Sequence, residues 1–128
     1  MNVEQLRDFC LSLGEVTEKL PFGKFSSRYD SLLVFYVKEH MFCMFDLDDF
    51  TWVAMRSTAD VIEEISLTHN DVLPGRKNMR LWLNAGLGGD ITDTMIFNLI
   101  RRAYEIINDR YSSKKKNSEA HSGSKKRT

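Results

Sequence analysis

The chain has 128 residues, of which 42% are hydrophobic and 28% are charged, a composition typical of a single globular domain. Its formal net charge of zero conceals an asymmetry. Residues 1–111 hold twelve Lys and Arg against seventeen Asp and Glu, whereas residues 112–128 hold six against one. The acidic body therefore does not offer in bulk the basic surface on which nucleic-acid binding usually depends.

No apolar stretch reaches the roughly 18 residues that a membrane-spanning helix requires. The N-terminal sequence MNVEQLRDFC also lacks the apolar core of a signal peptide. We therefore expect a cytoplasmic protein with no membrane partner. Cys10 and Cys43 form no Cys-x-x-Cys pair, and we interpret both as small buried hydrophobic residues.

The first predicted element is an amphipathic helix. Asn2 and Gln5 have the spacing of a capping box, apolar residues follow at helical spacing, and Gly14 suits the end of the helix. The segment LPFGKF that follows predicts a turn that places Phe22 against the core.

Three strand-like runs come next, at residues 31–37, 40–47 and 51–56. Each is rich in aromatic or β-branched residues, as strands are. The links between them are short enough for antiparallel hairpins, so we predict a three-stranded meander.

The second half of the chain predicts two helices and a further strand. Ser57, with Asp60 three residues later, signals the start of a short helix, and a polar loop then leads to Pro-Gly. Residues 79–85 have the alternation of a strand. Thr92 caps a last helix whose apolar stripe continues to about Tyr111.

These elements predict an α+β fold, an antiparallel sheet with flanking helices in the order α-β-β-β-α-β(β)-α. We assign residues 1–111 to the folded domain. Residues 112–128 contain one apolar residue, Ala120, so they cannot bury enough surface to offset the entropy of ordering. They are predicted to form a disordered basic tail.

The sequence contains no recognisable catalytic, metal-binding or cofactor-binding motif. The three histidines are far apart in sequence, and the acidic group at residues 46–49 is more typical of a hairpin turn than of a cation site. The segment GLGG at 86–89 fits neither the dinucleotide fingerprint nor the P-loop. We therefore predict a non-enzymatic protein with no catalytic residues, metal or cofactor.

The best candidate site is the basic segment PGRKNMRLW. Arg76, Lys77 and Arg80 can contact phosphates, and Trp82 can stack on a base. The alternative is that the cations are solvated and Trp82 belongs to the core. Further cations in the tail can add non-specific affinity for polyanions; they are Lys114, Lys115, Lys116, Lys125, Lys126 and Arg127.

Most of the chain resembles the YjbR/MmcQ-like proteins. The resemblance is carried, in order, by NVEQLRDFCLSLGEVTEKLPFG, LLVFYVKEHMFCMFDLDD and PGRKNMRLWLNAGLGGDITDTMIFNLIRRAYEII. It implies an α+β domain similar to the type III secretion-chaperone architecture. Family members are small bacterial cytoplasmic proteins without an established enzymatic activity, and they are described as DNA-binding from a double-wing likeness in structure.

The sequence departs from the family pattern near the candidate site. Arg76 and Lys77 stand where relatives usually have a Tyr-His pair, and MRST at 55–58 stands where a Lys-Cys pair is more typical. The resemblance implies a DNA-binding module that contacts phosphates through basic residues. The alternative is a protein-interaction or chaperone-like module, and both monomer and homodimer remain open.

Overall fold

The computed structural model describes residues 1–22, 30–74 and 79–120, with side chains described up to residue 112. It confirms the predicted α+β fold. The elements in chain order are α1 (Val3–Leu11), β1 (Val16–Lys19), β2 (Leu32–Val37), β3 (His40–Asp46), β4 (Trp52–Arg56), α2 (Ala59–Thr68), β5 (Trp82–Gly86) and α3 (Asp93–Ala120).

The five strands form one antiparallel sheet in the order β1-β2-β3-β4-β5. The predicted meander corresponds to β2, β3 and β4. Strand β1 was not predicted, because its four residues, VTEK, contain a single apolar side chain. It pairs with β2 at the edge of the sheet, in a register that places Val16 opposite Val37 and Lys19 opposite Val34.

Backbone geometry sets the register of the β2–β3 hairpin. Lys38 and Glu39 form its two-residue turn with φ of 52° and 67°, as the twist of a tight hairpin requires. A bulge follows, because Phe35 pairs with Cys43 while Tyr36 pairs with Met41. The extra residue between them lets two successive side chains of β3 face the same side of the sheet.

The main core lies between one face of the sheet and the helices. Helices α1 and α3 pack there and contact each other, and Ile65 of α2 joins them. Cys10 and Cys43 are fully buried in this core as free thiols, which confirms their interpretation as hydrophobic residues. The largest fully buried side chains of this cluster are Phe35, Phe42, Phe45, Leu6, Met55, Leu83, Ile91, Ile96 and Ile100.

A second hydrophobic cluster lies on the opposite face of the sheet. Its buried members are Leu32, Val34, Met44, Trp52 and Ala54, and its partly buried members are Phe22, Tyr36, Met41, Met79 and Trp82. The middle strands are therefore buried on both faces. Strands buried in this way have continuous runs of hydrophobic residues rather than alternating hydrophobic and polar residues. This arrangement explains why β2 and β3 lack a polar face.

The helix caps agree closely with the sequence. In α1 the backbone N–H of Gln5 donates to Asn2 Oδ1 at 2.8 Å, and the N–H of Asn2 donates to Gln5 Oε1 at 3.0 Å. Helix α2 begins one residue later than predicted, because Thr58 rather than Ser57 caps it. Thr92 caps α3 by accepting from the N–H of Met95 at 3.2 Å.

Helix α3 continues past the predicted boundary near Tyr111 and reaches Ala120. Extending a helix that is already packed costs little per residue, and Lys, Glu and Ala are good helix formers. Residues 121–128 lie outside the described residues, and the division into a domain and a disordered tail stays a prediction. Despite the length of α3, the described part of the chain includes no helix apolar enough to cross a bilayer.

Candidate functional site

A solvent-open depression of about 330 Å³, referred to below as the cavity, lies where β4 ends and β5 begins. Five side chains line it, two of them cationic and three apolar or aromatic: Arg56, Met79, Arg80, Leu81 and Trp82. Its volume is near the lower end of the roughly 300–1,000 Å³ that small-molecule sites occupy. The combination of guanidinium groups and an indole can hold a ligand that is both anionic and planar.

The backbone fixes the walls of this cavity. Arg56 and Trp82 are direct partners across the β4–β5 ladder, so their Cβ atoms lie about 5 Å apart on the same face of the sheet. The N–H of Ser57 donates to the carbonyl of Leu81 at 2.7 Å, and the N–H of Trp82 donates to the carbonyl of Met79 at 3.3 Å. The arginine–tryptophan pair is thus held by strand pairing and the adjoining turn.

Arg56 has an unusual hydrogen-bonding deficit. Its Nε atom is buried, and it has no hydrogen-bond partner among the described residues. A buried donor without an acceptor costs free energy, and native proteins pair almost all such groups. Arg56 also lines the cavity, so an anionic ligand there can accept charge-assisted hydrogen bonds from its guanidinium group.

Arg80 and Trp82 give the cavity its second cation and its aromatic surface. Arg80 is exposed, whereas Trp82 is half-buried at the margin of the second cluster. An exposed guanidinium binds phosphate oxygens through its fork of N–H donors. A rigid indole beside it is a stacking surface for a base.

An acidic loop lies at the opposite end of β5 from Trp82 and the cavity. There the carbonyl of Asp71 accepts from the N–H of Gly86, about 13 Å along the strand from Trp82 at the usual rise per residue. The carboxylate of Asp90 accepts from the N–H of Asn70 at 2.7 Å, and this bond lowers the pKa of Asp90. At physiological salt, interactions over this distance between exposed charges are largely screened.

The structure brings together two of the predicted site residues, Arg80 and Trp82. Arg76 and Lys77 lie outside the described residues. Among the tail cations, the backbone of Lys114–Lys116 belongs to α3 but their side chains are not described, and Lys125–Arg127 lie outside the described residues. Their participation stays a prediction.

Arg56 was missed as a site residue. The signal was present, because Trp52, Ala54 and Arg56 alternate along β4 and therefore share a face. The alternation along β4 did not show that β5 pairs with it and places Trp82 opposite Arg56. The predicted strand at 79–85 begins at Trp82 in the structure, so Leu81 lines the cavity instead of entering the core with Leu83.

The weaker candidates have structural roles. Asp46 Oδ1 accepts from the N–H groups of Asp48 and Asp49 at 2.9 and 3.2 Å, so these residues form the predicted turn. The His40 ring stacks on Tyr111 with centroids 3.6 Å apart. Within the described ranges, no group of three or more His, Cys, Asp or Glu is arranged to hold a metal ion.

Comparisons with known proteins agree with this fold. The family model described as YjbR matches residues 11–106. The crystal structure of Deinococcus radiodurans protein DR2400, a DUF419 domain, is similar with a TM-score of 0.77 at 24% identity, over 92% of this chain and 86% of that chain. A Pseudomonas syringae protein gives a TM-score of 0.62 at 16% identity, over 83% and 98%. No curated protein shows significant sequence similarity to the chain.

Proposed function

Because the chain belongs to the YjbR family, whose members are described as DNA-binding, we propose that it is a small non-enzymatic DNA-binding module that contacts phosphates at the Arg56–Trp82 cavity. The proposal includes further phosphate contacts from Arg76, Lys77 and the C-terminal cations, which lie outside the described residues or have no described side chains. Family membership supports DNA as the ligand, and the two arginines of the cavity support it as the place of contact.

The observation that carries the proposal is that two arginines, Arg56 and Arg80, line the same cavity. Phosphate oxygens are strong acceptors, and arginine binds them with charge-assisted hydrogen bonds. Arg80 supplies a second guanidinium in the same cavity. Two cations that converge on one concave site favour a phosphate over a neutral ligand.

The proposal reconciles DNA binding with an acidic body. Residues 1–111 carry five more acidic than basic side chains, so a broad electrostatic footprint cannot supply the affinity. Binding must then depend on a few well-placed phosphate contacts. Few contacts release few counterions, so the affinity falls with salt less steeply than for proteins that contact many phosphates.

The test is fluorescence anisotropy of a labelled DNA oligonucleotide with the full-length chain at two salt concentrations. Arg56→Gln and Arg80→Gln should each weaken binding about tenfold, within the range expected for loss of one arginine contact to DNA. The matched control is Arg102→Gln, which removes an exposed cation from α3 and should change the affinity less than twofold.

A variant with Lys125, Lys126 and Arg127 changed to Gln separates the cavity from the C-terminal cations. The proposal expects this variant to retain its sensitivity to Arg56→Gln. If the C-terminal substitutions abolish binding while both cavity substitutions leave it unchanged, the cavity is not the site. Undetectable binding by the wild-type chain at low salt would reject the function itself.

A second candidate function, a protein-interaction or chaperone-like module, is favoured by the acidic charge of residues 1–111. A net negative surface repels polyanions and attracts basic partners. Light scattering and a pull-down with the full-length chain test this candidate. A strict monomer that retains no partner would count against it.

A further inference from the structure

We infer that the Arg56–Trp82 cavity receives one unpaired nucleotide, so that the protein binds single-stranded DNA in preference to duplex DNA. This inference rests on the proposed function and adds the form of DNA that the site selects. In this arrangement the phosphate contacts Arg56 and Arg80, and the base stacks on Trp82.

The shape of the site is the first argument. Many proteins that read duplex DNA insert a helix or a two-stranded ribbon into the major groove. Here the cations and the indole line a concavity of about 330 Å³. A base can lie against the indole in this site only after it has left a duplex, where both of its faces are already stacked.

The placement of Trp82 is the second argument. Its side chain is partly buried against the second cluster and also lines the cavity, so packing holds one part of the indole while another part is accessible to a ligand. A base inside a duplex is already stacked on both of its faces. Stacking on a protein aromatic is therefore available to a base that has been freed from its neighbours.

Charge density is the third argument. Duplex DNA carries one phosphate per about 1.7 Å of helix axis, twice the density of either strand alone. The body of this protein has a net charge of −5 over residues 1–111, and it repels the denser polyanion more strongly. The two guanidinium groups of the cavity can neutralise the few phosphates of a short single-stranded segment.

The experiment compares two labelled ligands by anisotropy at low salt, using the full-length chain. One ligand is a twelve-nucleotide oligothymidylate, and the other is a duplex of the same length. The single strand should bind at least tenfold more tightly. Thymidine monophosphate, added as a competitor, should displace it at high concentration if the cavity recognises the single nucleotide.

Variants of Trp82 test whether stacking causes the preference. Trp82→Leu should weaken single-strand binding about tenfold, the scale of one lost base–aromatic contact, and should thereby reduce the preference for the single strand over the duplex. Trp82→Phe retains an aromatic ring and should keep most of the affinity. In the wild-type chain, the single strand should quench tryptophan fluorescence and the duplex should not, a readout that needs no variant to fold.

The outcomes separate the inference from the proposed function. If the duplex binds as tightly as the single strand and Trp82→Leu affects neither, the inference is overturned, while a loss of affinity in Arg56→Gln would still support DNA binding. If neither ligand binds at low salt, both are rejected. Failure of thymidine monophosphate to compete, with single-strand binding intact and no quenching, places the contact outside the cavity and also overturns the inference.

Discussion

Replacement of Arg56 by methionine should separate the stability of the protein from its binding activity. The Nε of Arg56 is a buried donor without an acceptor among the described residues, a condition that costs about 1–3 kcal/mol. Methionine keeps an unbranched apolar stem and removes every donor. We expect Arg56→Met to raise the free energy of unfolding by about 1 kcal/mol. The substitution removes the cost of the unsatisfied donor, and the loss of the other contacts of the guanidinium cancels part of that gain.

The assay is equilibrium unfolding in urea, together with a thermal melt. A gain of 1 kcal/mol should raise the thermal midpoint by about 4 °C for a chain of this size, with the urea m-value unchanged. The matched control is Arg80→Met, which removes the exposed cation of the same cavity and should change stability by less than about 0.5 kcal/mol. Both variants should bind DNA more weakly than the wild-type chain.

A loss of stability in Arg56→Met would refute this reasoning. Destabilisation by more than about 1 kcal/mol is the size expected when a satisfied buried hydrogen bond is broken. It would show that Arg56 is a structural residue in the free protein. A gain in stability with unchanged DNA binding would instead show that the unsatisfied donor has no part in recognition.

Three further predictions concern the loop between β5 and α3 and the buried thiols. A Cβ on Gly89 would lie 1.7 Å from Asp71 Oδ2, so Gly89→Ala must displace that carboxylate from the N–H of Asp90 and lower the urea midpoint. The decrease in the midpoint should be smaller in an Asp71→Ala background, and an equal decrease there would contradict the predicted clash. Two backbone N–H groups lower the pKa of Asp90, so its contribution to stability is complete above the unfolded-state pKa of about 3.9 and is lost as the pH falls through the lower folded-state pKa. Urea unfolding of Asp90→Asn between pH 2 and 6 should show a free energy of unfolding that depends less on pH than that of the wild-type chain. An unchanged pH dependence would contradict this prediction. Burial raises the pKa of Cys43, which lies beside the equally buried Cys10, so neither thiol should react with a disulfide reagent at pH 8 until the chain unfolds. Rapid labelling of the native protein would contradict this prediction and show that the core opens.

The sequence predicted the elements whose apolar residues repeat over several turns or along a whole strand. Helices α1 and α3 and strands β2–β4 have such patterns, and each was located within a few residues except at the C-terminal end of α3, which lies at Ala120 and not near Tyr111. Strand β1 was missed because Val16–Lys19 lies at the edge of the sheet with two exposed side chains. Its existence depends on pairing with β2, and pairing between distant segments leaves no local signal.

The second hydrophobic cluster shows another limit of the sequence. Apolar runs in β2 and β3 predicted strands, but a three-stranded meander normally has one solvated face. The structure places Met44 and Trp52 in a cluster on the face away from the helices, with Phe22 and Met79 packed at its margin. Which loop residues reach that face depends on the path of the chain between the strands.

The candidate site was predicted in part for a similar reason. Arg80 and Trp82 are close in sequence, so a local scan for cations beside an aromatic found them. Arg56 is opposite Trp82 only because β4 and β5 pair in one register, and a slip of one residue would place its side chain on the other face. Sequence alone could not select that register, so the residue with the unsatisfied donor was not identified.

The most direct test of the central claim is an NMR titration of the full-length chain with single-stranded oligothymidylate. The side-chain N–H signals of Arg56 and Trp82 should shift together, at the same ligand concentrations. The indole signal of Trp52, which is 9% exposed, serves as the internal control and should shift much less. If neither Arg56 nor Trp82 shifts while the amides of residues 112–128 do, DNA binds to the basic C-terminal segment and the cavity has no role in binding.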